Sequence, residues 1–189
     1  MTRTRKHASN TESLLETPTQ KRTKGERMRV LVVLGEGGHT RQMLQLLDQL
    51  GSAYAYSYLI AVEDELSEGK IRLPGPVFRI GRPRSKVGGR TDSRPQAAWQ
   101  TLRSFLRIWP LLRQIRPDVV LANGPSIAVP AALLGKLMGA RILYVESASR
   151  VYEMSSSGRI VYPFADLFIV QWPQLQARYR KAIYAGRLV

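Results

Sequence analysis

The run Arg29-Val30-Leu31-Val32-Val33-Leu34 breaks off at Gly35-Glu36-Gly37-Gly38-His39-Thr40. A β-branched-rich run with no polar face is a strand buried on both sides, and such strands belong to parallel sheets covered by helices. The glycine-rich break is a strand-to-helix loop. Thr40 to Leu50 then reads as a helix, with Met43, Leu44, Leu46, Leu47 and Leu50 turned inward. Further strands are expected at 56–62, 77–80, 118–122, 141–145 and 167–171. Helices are expected at 96–115 and 127–138, with shorter pieces at 157–165 and 173–180. Strand and helix alternate, which predicts an α/β fold: a Rossmann-like, mostly parallel sheet with helices on both faces. In that architecture ligands gather at the carboxyl ends of the strands.

The chain has 189 residues, enough for one domain, and no cysteine. The missing thiols exclude a disulfide scaffold, a thiolate metal site and a cysteine nucleophile. The longest uninterrupted apolar run, Ile127 to Leu134, is eight residues. A membrane span needs about 20, so no transmembrane helix and no signal peptide are expected. The formal charge of +15 is unevenly spread. Residues 1–29 carry eight Lys/Arg and three Glu, and 1–27 read as a disordered basic tail ahead of a domain at 28–189. Residues 72–116 carry eleven Lys/Arg against one Asp.

Part of that central excess lies in a Gly/Pro/Arg stretch from Gly81 to Arg90, read as a mobile loop, and part on the 96–115 helix. There Ala97, Ala98, Leu102, Phe105, Leu106, Trp109 and Leu112 interleave with Arg103, Arg107 and Arg113. The patch is a solvated face, an anion or membrane surface, or a nucleic-acid surface. The last is disfavoured, since no helix-turn-helix, zinc-finger or RNA-recognition signature accompanies it. Arg82, Arg84, Lys86, Arg90, Arg103 and Arg107 are the candidate membrane or anion contacts.

Four motifs carry chemistry. Gly35-x-Gly37-Gly38-His39-Thr40 can bring a ligand close to the backbone, Thr40 can cap the helix, and the helix N-terminus offers N–H groups to a diphosphate. It matches neither the dinucleotide fingerprint nor the phosphate-binding P-loop, and an unliganded tight turn is the plain alternative. His39 is a candidate base or ligand contact. Asn123-Gly124-Pro125-Ser126 follows the 118–122 strand, and turn chemistry with Ser126 as helix cap suffices to explain it. Glu146 ends the 141–145 strand, where it either faces the same cleft or pairs with Arg150 as a structural ion pair. The terminal Ile183-Tyr184-Ala185-Gly186-Arg187-Leu188-Val189 either packs on its own domain or docks in a partner.

These motifs occur in a recognisable order, together with Ser157-Gly158 and Phe168-Ile169-Val170-Gln171-Trp172-Pro173. The set resembles the asparagine-linked glycosylation protein fourteen family over about residues 28–189, and is similar to bacterial exopolysaccharide and capsule glycosyltransferase accessory subunits. The resemblance implies the N-terminal, acceptor-side half of a split GT-B glycosyltransferase, inactive alone. A separate donor-side subunit would bind UDP-GlcNAc, and the acceptor would be a polyprenyl or dolichyl diphosphate sugar. In the eukaryotic family GlcNAc is added to GlcNAc-diphosphate-dolichol on the cytosolic face of the endoplasmic reticulum, and the chain recruits its partner to the membrane. Carried onto this sequence, Gly35, Gly37, Gly38, Thr40, Asn123, Gly124 and Arg150 would contact the acceptor diphosphate. His39 and Glu146 would be the catalytic pair, His39 contacting the ligand and Glu146 serving as base or orienter, and Ile183 to Val189 the docking tail. No metal and no cofactor is implied. Eukaryotic members usually begin with an apolar anchor, whereas residues 1–27 are polar and basic. Peripheral attachment through the Arg-rich segment to an anionic membrane is the expected substitute. A purely non-catalytic membrane scaffold is the competing reading.

Overall fold

The computed structural model describes residues 25–81, 86–87, 90–91 and 94–188, with the side chains of 86–102 outside the description. Residues 1–24 of the tail expected at 1–27, together with Arg82, Arg84 and Val189, lie outside the described residues, as do the side chains of Lys86 and Arg90. In chain order the elements are β1 (Arg29–Val33), α1 (Gly38–Leu50), β2 (Ala55–Ala61), β3 (Val77–Ile80), β4 (Lys86–Val87) and β5 (Arg90–Thr91). They continue with α2 (Arg94–Ile115), β6 (Val119–Ala122), α3 (Ala128–Leu137), β7 (Arg141–Val145), α4 (Ser156–Val161), β8 (Leu167–Val170), α5 (Pro173–Arg178) and β9 (Ala182–Tyr184).

Seven strands form one parallel sheet in the order β3-β2-β1-β6-β7-β8-β9. Val30 of β1 sits opposite Tyr56 of β2 on one side and Val119 of β6 on the other. The order therefore reverses at β1, and a crevice opens there between the loops that leave β1 and β6. At the opposite end of the sheet Asp118 ties the same two strands together. Its carboxylate accepts from the Arg29 backbone N–H at 2.8 Å and from the Arg29 guanidinium at 3.0 Å.

Each face of the sheet buries its own apolar cluster. Leu31, Val33, Val120, Ile142, Tyr144 and Phe168 meet Ile108 and Leu112 of α2 and Ala131 and Leu134 of α3. Val30, Val32, Tyr58, Ile60 and Leu121 meet Met43, Leu44 and Leu47 of α1. Side chains on alternate faces of each strand thus enter different cores, which is why the strands read as unbroken apolar runs.

The expected α/β class and the strands of the main sheet are found. Differences are local. The stretch read as a mobile loop after Gly81 carries the antiparallel β4–β5 hairpin. The terminal segment contributes a ninth strand, β9, paired with β8. The helix expected at 157–165 ends at Val161, and the one at 173–180 ends at Arg178. On α2 the inward residues are Ser104, Ile108 and Leu112, whereas Leu106 (67% exposed) and Trp109 (42%) face outward beside Arg103, Arg107 and Arg113.

Candidate functional site

The crevice holds about 440 Å³ and is lined by Leu34, Gly35, Glu36 and His39 after β1, Ala61 after β2, Gly124 to Ile127 after β6, and Ser156 and Ser157 of α4. His39 is in the first turn of α1, where the helix begins directly after Gly37. Gly37 takes φ +61° at the cap position and, having no side chain, supplies no acceptor to the first-turn amides. Thr40, expected as cap and ligand contact, lies inside the helix. It is fully buried and its hydroxyl is 2.7 Å from that of Ser67. The Ser67 backbone N–H in turn donates to Asp64 Oδ1 at 3.0 Å, and Asp64 and Ser67 form a buried brace under the loop.

His39 Nδ1 lies 2.7 Å from Asn123 Oδ1. An amide oxygen only accepts, so Nδ1 is the donor and carries the ring hydrogen. In the neutral ring Nε2 then keeps its lone pair. Asn123 is 1% exposed, and its Nδ2 is a buried donor without a partner among the described residues. Gly124 takes φ +55°, and a Cβ there would collide with the His39 ring. The Asn-Gly pair therefore does two jobs: its amide orients the imidazole and its missing side chain makes room for it. Ser126, expected to cap α3, does not; Ile127 occupies that position without a side-chain bond.

Glu146 sits behind this wall. It is fully buried, and burial pushes its carboxyl above the ordinary 4.5 against the pull of its hydrogen bonds. Oε1 accepts from Ser147 N at 2.9 Å, and Oε2 accepts from Ser155 N at 2.9 Å and Ser155 Oγ at 3.1 Å. A Cβ at Gly158 would strike the same Oε2. Ser155 Oγ also caps α4 by accepting from Gly158 N at 2.9 Å, and lies 3.3 Å from the Tyr144 hydroxyl. The Tyr144 hydroxyl accepts from Gly124 N at 3.1 Å. Burial pushes the Tyr144 phenol well above its ordinary value, so it stays protonated and donates onward. A continuous chain thus runs from the Glu146 carboxylate through Ser155 and Tyr144 to Gly124, against which His39 packs.

Of the residues expected from sequence, the structure brings Gly35, His39 and Gly124 to the crevice wall, with Asn123 immediately behind. Glu146 and Thr40 are below the surface. Arg150 is exposed, does not line the crevice and makes no ion pair with Glu146 among the described residues. Gly37 and Gly38 lie on the loop but outside the lining. Among the described residues, no Lys or Arg lines the crevice. Arg103 and Arg107 lie instead on the exposed face of α2. Sequence reading missed Glu36, Ser156 and Ser157 as lining residues and Ser155 as the link to Glu146. The serine triplet before Gly158, a helix-start signal, was the available clue.

In the terminal segment, Ile183 and Tyr184 are exposed on β9, the last strand of the sheet, while the chain beyond turns back onto its own domain. Gly186 takes φ +96°, the Arg187 guanidinium lies 4.4 Å over the Trp172 ring, and Leu188 N donates to Gln171 Oε1 at 2.8 Å.

A family model described as "Oligosaccharide biosynthesis protein Alg14 like" matches residues 30–188. The UDP-N-acetylglucosamine transferase subunit ALG14 of Homo sapiens is 40% identical over 189 residues, covering 88% of this chain and 86% of that protein. The Schizosaccharomyces pombe protein of the same name is 36% identical, covering 83% and 81%. Among solved structures, MurG of Acinetobacter baumannii superposes with a TM-score of 0.62 at 18% identity, over 78% of this chain and 42% of its own. The UDP-GlcNAc 2-epimerase of Neisseria meningitidis bound to UDP-GlcNAc gives 0.60 at 14%, over 85% and 47%. At such identities the likeness is one of fold, and this chain spans less than half of either structure. The family match runs from the second residue of β1 to the tail residue held by Gln171, through every strand of the main sheet and every crevice loop. The chain belongs to the Alg14 family of oligosaccharide biosynthesis proteins.

Proposed function

We propose that this chain is the acceptor-side subunit of a two-chain UDP-GlcNAc transferase, working with a separate donor-binding subunit in lipid-linked oligosaccharide synthesis. The names of its relatives, each a subunit of a UDP-N-acetylglucosamine transferase, support both the transferase assignment and the need for a further chain. The observation that carries the acceptor assignment is the His39–Asn123 pair at the mouth of a crevice built at the strand-order reversal. A polyprenyl or dolichyl diphosphate sugar would lie there with its phosphates toward the α1 N-terminus. The first-turn amides and the unpartnered Asn123 Nδ2 are the donors suited to it.

In an inverting transfer the acceptor hydroxyl attacks the anomeric carbon of GlcNAc. A C–O bond forms, the bond to UDP breaks, and the hydroxyl proton must leave. His39 Nε2 holds the lone pair that would accept it. Glu146, fully enclosed, is a positioning residue: through Ser155 and Tyr144 it steadies Gly124 and hence the imidazole. A role as an accessory subunit for bacterial exopolysaccharide or capsule synthesis would use the same site with another sugar.

Attachment to a membrane would use the outer face of α2, where Arg103, Arg107 and Arg113 flank exposed Leu106 and Trp109 without an acidic neighbour on the helix. No described helix is long and apolar enough to cross a bilayer. The exposed Ile183–Tyr184 edge is the candidate contact for the donor-binding chain, with Gly186 to Leu188 folded back beside it. Isothermal titration of the chain with a short-chain polyprenyl-diphosphate-GlcNAc and with UDP-GlcNAc tests the assignment. Binding of the first and not the second is expected; the reverse preference would overturn it.

A further inference from the structure

Gln171, the residue after β8, is 1% exposed and joins three segments that are far apart in sequence. Its Nε2 donates to Gln42 Oε1 at 2.7 Å and to the Glu146 carbonyl at 3.0 Å, and its Oε1 accepts from Leu188 N at 2.8 Å. Gln42 Oε1 accepts a second bond, from Ala148 N at 3.1 Å. Trp172 Nε1 donates to the Ala148 carbonyl at 2.6 Å, and the same indole carries the Arg187 guanidinium. Two tail residues and two segments bordering the crevice thus share one small polar cluster.

Each partner of Gln171 leads somewhere specific. Gln42 is one turn beyond His39 on α1, so it reports the position of the helix that carries the imidazole. The Glu146 carbonyl belongs to the residue whose carboxylate holds Ser155, next to Ser156 and Ser157 of the crevice. Leu188 belongs to the terminal segment. The orientation of the Gln171 amide is forced: reversed, its oxygen would face the Gln42 oxygen and the Glu146 carbonyl, both acceptors. Loss of the Leu188 bond would leave Oε1 a buried acceptor without a partner. The amide can relieve that only by shifting, which loosens the two bonds at its other end.

We propose that Gln171 is a positioning residue that couples the seating of the terminal segment to the geometry of the acceptor crevice. A partner that engages Ile183 to Leu188 then acts on His39 and on Ser156–Ser157 without touching them. The inference rests on the proposed reading of this segment as the contact with the donor-binding chain. It adds a direction to that contact: a seated tail holds the crevice in order, and a displaced tail releases it.

Two substitutions at the half-buried Leu188 separate the bond from the packing. Leu188→Ala keeps the backbone N–H and loses side-chain contact; Leu188→Pro loses both. Amide hydrogen exchange of the intact chain, read by mass spectrometry, should be about fivefold faster in Leu188→Pro than in Leu188→Ala over residues 38–43 and 147–158, the worth of one hydrogen bond. The dissociation constant for a short-chain polyprenyl-diphosphate-GlcNAc should rise by a similar factor. Gln171→Met, which keeps the volume and removes all three bonds, should reproduce both changes, with thermal unfolding checking that it remains folded. Equal exchange in the two Leu188 variants over these segments, with the tail amides themselves released, would overturn the coupling. A wild-type chain that binds no acceptor would overturn the proposed function instead, and the exchange comparison would still decide the coupling.

Discussion

His39 Nδ1 donates to Asn123 Oδ1 across 2.7 Å, joining the loop after β1 to the loop after β6 at the point where the strand order reverses. These two loops come from strands that are neighbours in the sheet but far apart in the chain, and only the folded sheet brings them together. The bond fixes which imidazole nitrogen faces away from the protein scaffold. The first expectation follows directly. In the assembled two-chain enzyme, His39→Ala should lower turnover by about a hundredfold or more, the usual worth of a general base. Asn123→Ala should lower it by about tenfold, the worth of one orienting hydrogen bond. Steady-state transfer of radiolabelled GlcNAc checks both.

Two glycines near the site have positive φ but different surroundings. An alanine at Gly37 meets nothing within 4 Å, whereas at Gly124 it meets the His39 ring. Both Gly37→Ala and Gly124→Ala should cost about 1–3 kcal/mol of stability from backbone strain. Only Gly124→Ala should also depress acceptor binding and turnover, because the imidazole must move. Chemical denaturation paired with acceptor titration separates the two effects.

Glu146 gives a pH-dependent signature. Burial raises its folded-state pKa above the ordinary 4.5, so the folded protein holds this proton more tightly than the unfolded chain. The cost of keeping the carboxylate charged is present above the raised value and disappears as pH falls through it toward 4.5. Wild-type stability measured relative to Glu146→Gln should therefore rise on acidification through that window. Glu146→Gln also turns an amide NH₂ toward backbone or hydroxyl donors, so one of them loses its acceptor, at about 1–3 kcal/mol. Urea unfolding at a series of pH values reads both effects.

The exposed face of α2 makes a separate expectation. Arg103→Ala and Arg107→Ala should each weaken binding to vesicles containing phosphatidylserine by about fivefold, from about 1 kcal/mol per basic residue near an anionic surface. Trp109→Ala should weaken it with little change in salt dependence, since the indole contributes apolar contact rather than charge. Vesicle sedimentation at two salt concentrations distinguishes the contributions.

Local periodicity made much of this fold legible. β1 and the glycine loop could be read because an apolar run and its break lie within a dozen residues, and the same holds for Asn123–Gly124 after β6. What failed depended on distant neighbours. Periodicity gave α2 an apolar pattern but not its phase: Leu112 of the expected set found the core, joined by Ile108, whereas Leu106 and Trp109 face outward. Nothing near Glu146 in sequence announced that it would be enclosed, because Ser155 closes over it from nine residues away. β9 has three residues and one buried side chain, too short for any alternation to register. Gln171 was visible as the end of a strand and as one residue of a family motif but not as a junction, since its most distant partner, Gln42, is 129 residues away.

The measurement closest to the central claim is transfer of GlcNAc from UDP-GlcNAc to polyprenyl-diphosphate-GlcNAc, assayed with this chain alone, with a donor-binding subunit alone, and with both. Product should form only in the mixture, and replacing His39 by alanine should lower its rate by about a hundredfold or more while the two chains still co-purify. Sustained transfer by this chain alone, or undiminished transfer by the mixture carrying His39→Ala, would contradict the account of an acceptor-holding half whose imidazole takes the proton.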